Sequence, residues 1–71
     1  MYDYTKIISL SEAKAGDVIY THFVNGKPTH VRIFVSATGD SVRYVGAENE
    51  DIGIIESTMT FDVNSHKIGR F

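Results

Sequence analysis

Hydrophobic and polar residues alternate along residues 17 to 46 as they do in consecutive antiparallel strands. The strongest hairpin signal in this stretch is Asn25-Gly26, because both central residues of a type I′ turn need a positive φ angle that Asn and Gly tolerate. A two-residue turn at this point predicts that Val24 faces Lys27 across the hairpin. It fixes the register of the first two strands.

A second turn signal lies at Thr38-Gly39. Centring the next hairpin there places Val35 opposite Val42 and gives the middle strand the same two faces as the first hairpin does. The sequence therefore predicts a three-stranded meander.

The two faces of this meander differ in chemistry. One face is predicted to be the core, and it consists of Val18, Tyr20, Val31, Ile33, Val35, Val42 and Tyr44. The other face carries Ile19, Thr21, Phe23, His30, Arg32, Phe34, Arg43 and Val45. Aromatic residues and arginine are enriched in interface hot spots, so this second face is a candidate partner-binding surface. Its predicted contact residues are Phe23, His30, Arg32, Phe34 and Arg43, unless the N-terminal segment (Tyr2, Tyr4 and Ile7) covers them.

The segment before the meander predicts an edge strand at residues 4 to 8 and a short helix after it. Ser9 and Glu12 fit the S-x-x-E capping box, in which the two side chains satisfy backbone groups at a helix start. Gly16 is well placed to end the helix. We expect this helical turn to plug one end of a barrel.

The segment after the meander predicts two further strands. Residues 56 to 63 alternate cleanly, and Gly53 indicates a bend near the start of that strand. A turn at residues 64 and 65 would place Asp62 opposite Lys67 in a final hairpin.

This succession of short strands predicts a mainly β fold with a single domain over residues 1 to 71. The favoured architecture is a small five- or six-stranded antiparallel barrel, SH3-like, or a strongly bent sheet with one short N-terminal helical turn. A flatter α+β sheet is the alternative.

Composition says more about where the protein acts than about what reaction or binding it performs. The chain contains no cysteine, which excludes disulfides and thiolate chemistry and favours the cytoplasm. The first residues do not resemble a signal peptide, and no apolar run is long enough to span a bilayer. The net charge of -2 argues against nonspecific nucleic-acid binding, which needs many cations.

Motifs for catalysis or for cofactors are missing from the sequence. The register places His22 and His30 on opposite faces, and His66 has no partner at a metal-ligand spacing, so no metal site is predicted. There is no Gly-x-Ser-x-Gly elbow and no glycine-rich phosphate loop. We therefore expect a nonenzymatic protein without a cofactor.

Two stretches of the meander resemble a known family. Gly16 to Tyr20 and Thr29 to Val35 are similar to the "GD-hydrophobic" and "HVGIYVG" strands in the barrel core of NlpC/P60 and related papain-like peptidases. By this resemblance His30 matches the catalytic histidine, whereas Arg32 replaces the glycine of the motif. Since the family's cysteine is absent, the resemblance implies a catalytically dead barrel remnant.

These observations favour a small protein-binding inhibitor or adaptor, of the kind that phages and mobile elements encode. It would bind a protein through a sheet face or through an acidic side, which consists of Glu48, Glu50, Asp51, Glu56 and Asp62. The alternatives are a single-stranded nucleic-acid-binding barrel, in which Phe34 stacks on bases, and the peptidase remnant. A homodimer through an uncovered edge, either the last strand or residues 4 to 8, is also compatible with the sequence.

Overall fold

The computed structural model describes residues 2–49 and 53–71, without the side chains of residues 47–49. Six strands form one antiparallel sheet: β1 (Lys6–Ile8), β2 (Val18–Val24), β3 (Lys27–Thr38), β4 (Ser41–Asn49), β5 (Gly53–Thr60) and β6 (Lys67–Arg70). Their spatial order is β1-β6-β2-β3-β4-β5. The mainly β class is confirmed, but the sheet is not closed into a barrel.

The β2–β3 hairpin has the register that the sequence predicts. Val24 pairs with Lys27, and Tyr20 pairs with Val31. Asn25 has a φ angle of 53° and Gly26 one of 79°, as a type I′ turn requires. Local turn chemistry is therefore sufficient to set this hairpin.

The β3–β4 hairpin differs from the prediction. Its turn lies one residue later, since Thr38 pairs with Ser41 and Gly39 adopts a positive φ of 59°. A register shift between Phe34 and Ser36 marks a β-bulge at Val35. As a result Phe34 faces Tyr44 instead of Arg43.

The inner face of the sheet, which holds the core, combines residues of both predicted faces: Val42 and Tyr44 come from the predicted core face, and Ile19 and Phe34 from the other. Its buried cluster consists of Ile19, Phe34, Val42, Tyr44 and Ile68. Val31 and Ile33, predicted as core, are 37% and 41% exposed. This part of the prediction is wrong, because alternation separates two faces without showing which one is covered.

The inner face is covered by segments that are distant in sequence from the meander. Leu10 and Ala13, at the 3-10 turn Leu10–Glu12, and Phe61, which follows β5, all pack against the core cluster. The predicted capping box is present, with the Ser9 backbone N–H and hydroxyl donating to Glu12 Oε1 at 3.4 and 2.9 Å. These hydrogen bonds lower the pKa of the Glu12 carboxyl. Because the sheet is not closed into a barrel, the role of this turn as a plug for a barrel end stays a prediction.

A charged pair ties the loop before β2 to the C-terminal strand. Asp17 is buried, and both of its carboxylate oxygens accept hydrogen bonds from Arg70, at 3.0 and 2.8 Å. Asp17 also accepts from the Lys14 backbone N–H at 2.8 Å. The hydrogen bonds from the Arg70 guanidinium are the main reason that the pKa of Asp17 is lowered.

The outer face, opposite the core cluster, is covered over β2 and β6 by the N-terminal residues. The ring of Tyr2 stands edge-on to the ring of Tyr20, with centroids 4.9 Å apart, and the hydroxyls of Thr5 and Tyr20 are 2.8 Å apart. A Cβ atom at Gly69 would lie only 2.6 Å from Thr5 Oγ1. Strand β6 therefore needs a residue without a side chain at this position for the N-terminal segment to pack against it. The N-terminal segment thus covers part of the outer face and contacts Phe23, one of the two aromatic residues that the sequence analysis allowed it to cover, whereas Phe34 lies in the core of the inner face.

The last strand does not form the predicted hairpin with β5. β6 lies between β1 and β2, and Ile68 pairs with both Ile8 and Ile19. Residues 61 to 66 cross from β5 to β6 and include a turn in which the Asp62 carbonyl accepts from the Ser65 and His66 N–H groups. The edge strands of the sheet are therefore β1 and β5, whereas the last strand is internal.

Candidate partner-binding surface

The predicted contact residues do not share one surface. Phe34 is 3% exposed and belongs to the core, which corrects its placement on a binding face. The ring of Phe23 packs against that of Tyr2, with centroids 5.6 Å apart. Arg43 lies exposed on the outer face, whereas His30 and Arg32 remain on the inner one. The predicted aromatic and cationic face is thus divided among the core, the N-terminal segment and both sides of the sheet.

Arg32 lies against the sheet instead of projecting from it. Its guanidinium carbon is 4.5 Å from the centroid of the Tyr44 ring, a cation–π distance, and its Nη1 is 3.7 Å from Met59 Sδ. Its stem crosses Gly46, where a Cβ atom would come within 3.1 Å of Cγ. Its Nε is buried without a hydrogen-bond partner in the described part of the chain. The side chain of Arg32 therefore packs against the inner face of the sheet, over Tyr44 and Gly46.

The histidines come closer together than the sequence predicts. His22 has a φ of 54°, which interrupts the alternation of side chains between the two faces along β2. The centroids of the His22 and His30 rings are 5.6 Å apart. The prediction of opposite faces is therefore wrong. His66 accepts a hydrogen bond at Nδ1 from the Asp62 N–H, and burial lowers the pKa of its imidazole. Even so, no group of three metal-ligating side chains among the described residues is arranged to hold a metal ion.

A cluster of exposed apolar residues occupies the outer face of β3, β4 and β5. We call it the outer apolar patch, and it consists of Val31, Ile33, Val45 and Ile54. Ile33 pairs with Val45 on one side and with the buried Val18 on the other. The patch therefore continues a cross-strand row of apolar residues, of which the N-terminal segment covers only a part. Val45 is half-buried, and Ile54 is 77% exposed. Such a contiguous patch is typical of an interaction surface.

Charged side chains border the outer apolar patch. Arg43 Nη1 lies 3.6 Å from Glu56 Oε1, and both side chains are more than half exposed. A pair this exposed contributes little to stability. It instead gives the patch a polar rim that carries both signs of charge.

Of the predicted acidic side, only Glu56 and Asp62 have side chains within the described part of the structure. Glu50, Asp51 and the side chain of Glu48 lie outside the described residues. Glu56 lies on the outer face beside Arg43. Asp62 accepts hydrogen bonds from the Asn64 N–H and the Ser65 hydroxyl, so it holds the turn before β6. For the two acids that can be placed, the structure gives one a rim position and the other a local structural role.

An open groove of about 670 Å³ separates the β1 edge from the end of β5. Its apolar lining includes Ile7, Ile8, Leu10, Phe61 and Val63. In a closed barrel, the two edge strands β1 and β5 would pair with each other at the place of this groove. It leaves β1 and β5 as free edges among the described strands.

Comparisons with known proteins find no match for the chain. No protein-family model matches it, and neither a curated protein nor a solved structure matches it. The resemblance to NlpC/P60 peptidases therefore stays a prediction. In the part of the chain that the structure describes, no helix is long and apolar enough to cross a membrane.

Sequence reasoning assigned Val31 and Ile33 of the outer apolar patch to the core and Val45 to the opposite face, and so missed the patch as a surface. Val31 and Ile33 alternate correctly with polar neighbours, but so do Ile19 and Phe34 on the other face. Moving the turn to Gly39-Asp40 would by itself place Phe34 opposite Val45, and only the bulge at Val35 aligns Phe34 with Tyr44. The bulge at Val35 gave no local signal.

Proposed function

We propose that this chain is a nonenzymatic protein-binding module that uses the outer apolar patch to contact its partner. The observation that supports it is the exposure of Ile33 and Val31, 41% and 37%, in the middle of a sheet whose neighbouring strand β2 is buried from Val18 to Thr21. Leaving such residues in water is costly unless a second surface covers them, at about 25 cal/mol per Å² of apolar area. A small inhibitor or adaptor acting in the cytoplasm, such as those that phages encode, fits this arrangement.

The partner suited to this surface is a protein with an apolar patch of similar width and charged groups at its border. Arg43 and Glu56 offer one cation and one anion at the rim, where charges mainly set orientation and association rate. Arg43 is the residue of the sequence-predicted site that carries over to this surface. Burial of Ile33 and Val45 would supply most of the affinity.

The test is affinity capture from cells of the source organism, followed by reconstitution with the purified captured protein. The variant is Ile33→Lys, which places a charge in the patch while its stem can still cover the neighbouring apolar surface. The matched control is Thr38→Lys, at an exposed position on the same strand. We expect Ile33→Lys to weaken binding at least about tenfold, since about 1.4 kcal/mol of burial is lost, and Thr38→Lys to leave it unchanged.

The fold of each variant is checked by circular dichroism and thermal unfolding. A captured protein that binds Ile33→Lys as tightly as the native chain would overturn the proposed surface. If binding is instead weakened by Arg43→Glu alone, the rim and not the patch carries the affinity.

Single-stranded nucleic-acid binding is the alternative proposal. Since Phe34 is buried, and His30 and Arg32 lie on the face opposite Arg43, this activity would have to use the cations of one face without that aromatic platform. It predicts binding to short oligonucleotides that weakens steeply with added salt. Absence of binding at low salt would end this alternative.

A further inference from the structure

The edge strand β5 has the features of a pairing surface. It runs for eight residues, Gly53–Thr60, whereas the opposite edge, β1, has three and includes Lys6. Short length, lysine and proline are common means of blocking an exposed edge, and β5 contains neither lysine nor proline. Its free backbone groups are therefore available to another strand.

We infer that β5 pairs with β5 of a second copy of this chain, antiparallel and across a two-fold axis at Ser57. This homodimer would join two six-stranded sheets into one continuous sheet. The pairing itself does not depend on the proposed protein-binding function.

The register follows from the faces of the strand. Ile55, Ser57 and Met59 share one face, since their neighbours on β4 are Gly46, Tyr44 and Val42, and Ile54, Glu56 and Thr58 share the other. Residues that face each other in an antiparallel pair must lie on the same side, so the axis must pass through a residue and not between two. The longest overlaps have the axis at Glu56 or at Ser57.

Charge decides between these two registers. An axis at Glu56 places that carboxylate directly opposite its own copy, and facing like charges destabilise a sheet. An axis at Ser57 places Glu56 opposite Thr58 of the second copy. Thr58 pairs on its other side with Arg43, so a cation, a hydroxyl and the incoming carboxylate form one cross-strand row. This register is the longest one with complementary charges.

The same register matches the inner-face residues. Ile55 of each copy faces Met59 of the other, and both side chains are half-buried next to the core. The ladder would cover residues 54 to 60 and add about six to eight main-chain hydrogen bonds. Apolar contact on the inner face and charge complementarity on the outer face thus support the same alignment.

The dimer would also double the outer apolar patch. A two-fold axis perpendicular to the sheet keeps both outer faces on the same side, with Ile54 of each copy close to the new junction. If the proposed function holds, a partner with two sites, or two partners, could be bound at once, which raises avidity through effective concentration. This consequence rests on the proposed function, whereas the dimer does not.

The first experiment measures the mass of the native chain by analytical ultracentrifugation over a range of concentrations, without any partner. We expect the mass of two chains, with dissociation on dilution. The mass of a single chain at every concentration would overturn the inference. The proposed function is tested by partner capture, so one can fail without the other.

The second experiment determines the register by disulfide trapping, for which a chain without cysteine is well suited. Single variants Glu56→Cys, Ser57→Cys and Thr58→Cys are oxidised under identical mild conditions. Only a residue on the axis faces its own copy at about 5 Å between Cβ atoms, whereas diagonal neighbours are about 7 to 8 Å apart and too far for a disulfide. We expect Ser57→Cys to form covalent dimers at least about tenfold faster than the other two.

Ile7→Cys on β1 is the control for the opposite edge, and we expect no covalent dimer from it. Faster trapping of Glu56→Cys or Thr58→Cys would overturn the register, and trapping through Ile7→Cys would overturn the choice of edge. Circular dichroism of the reduced variants confirms that each substitution leaves the fold intact. Because each of these side chains is at the sheet edge or surface, none has to be removed from the core.

Discussion

Replacing Phe34 with alanine distinguishes a core residue from a contact residue. Phe34 is 3% exposed, and its ring packs within a cluster that includes Ile19 and Tyr44. Removing a buried phenylalanine side chain costs about 3 to 5 kcal/mol. A domain of this length has a total free energy of unfolding of about 4 to 10 kcal/mol. We therefore expect Phe34→Ala to lose most of its stability.

Its neighbour Ile33 supplies the matched control. Ile33 is 41% exposed on the opposite face, so truncation to alanine removes about half of the burial of a core isoleucine and costs about 1 kcal/mol. Phe34→Leu is a milder variant for the core position, with an expected cost of about 1 to 1.5 kcal/mol. It remains measurable if Phe34→Ala does not fold.

The assay is equilibrium unfolding in urea, followed by circular dichroism. With an m-value of about 1 kcal/mol/M for a small domain, Phe34→Ala should lower the urea midpoint by about 3 M or leave no folded baseline. Ile33→Ala should lower it by about 1 M. A Phe34→Ala variant no less stable than Ile33→Ala would refute the assignment of the inner face as the core.

Three further predictions concern stability. Gly69→Ala should cost about 1 to 3 kcal/mol, because its new methyl group would collide with Thr5; a variant that melts with the native chain would contradict this close approach. Asp17→Asn should cost about 1 to 2 kcal/mol, since it weakens the charge-assisted hydrogen bonds from the half-exposed Arg70. In the native chain, this contribution should persist above the ordinary pKa of an aspartate and be lost as pH falls through the lowered folded value, which acid titration of the unfolding midpoint measures. Burial lowers the pKa of His66, so the unfolded chain binds its proton more readily, and stability should fall as pH drops below about 6.5. The His66→Asn variant should have a shallower slope between about pH 7 and 5.5, and an unchanged slope would exclude this residue as its cause.

The sequence by itself determined the local features of this protein. The Asn25-Gly26 turn set the β2–β3 register because its two residues supply the positive φ angles that a type I′ turn needs. Ser9 and Glu12 formed their capping contacts because they lie close together in the sequence, so these contacts are local as well. The mainly β class followed from alternation, which is also a property of neighbouring residues.

Only the tertiary structure decided which face of the sheet is the core. Both faces of the meander carry several apolar side chains, and the choice between them depends on which is covered by Leu10 and Phe61, segments that are distant in sequence from the meander. The bulge at Val35 then rotated Phe34 onto the same side as Tyr44. Burial is a relation between remote parts of a chain, whereas periodicity is a relation between neighbours. For that reason the sequence could separate the two faces within the β2–β3 hairpin, whereas only the fold, through the bulge at Val35 and the covering segments, could show which residues of β4 join each face and which face remains for a partner.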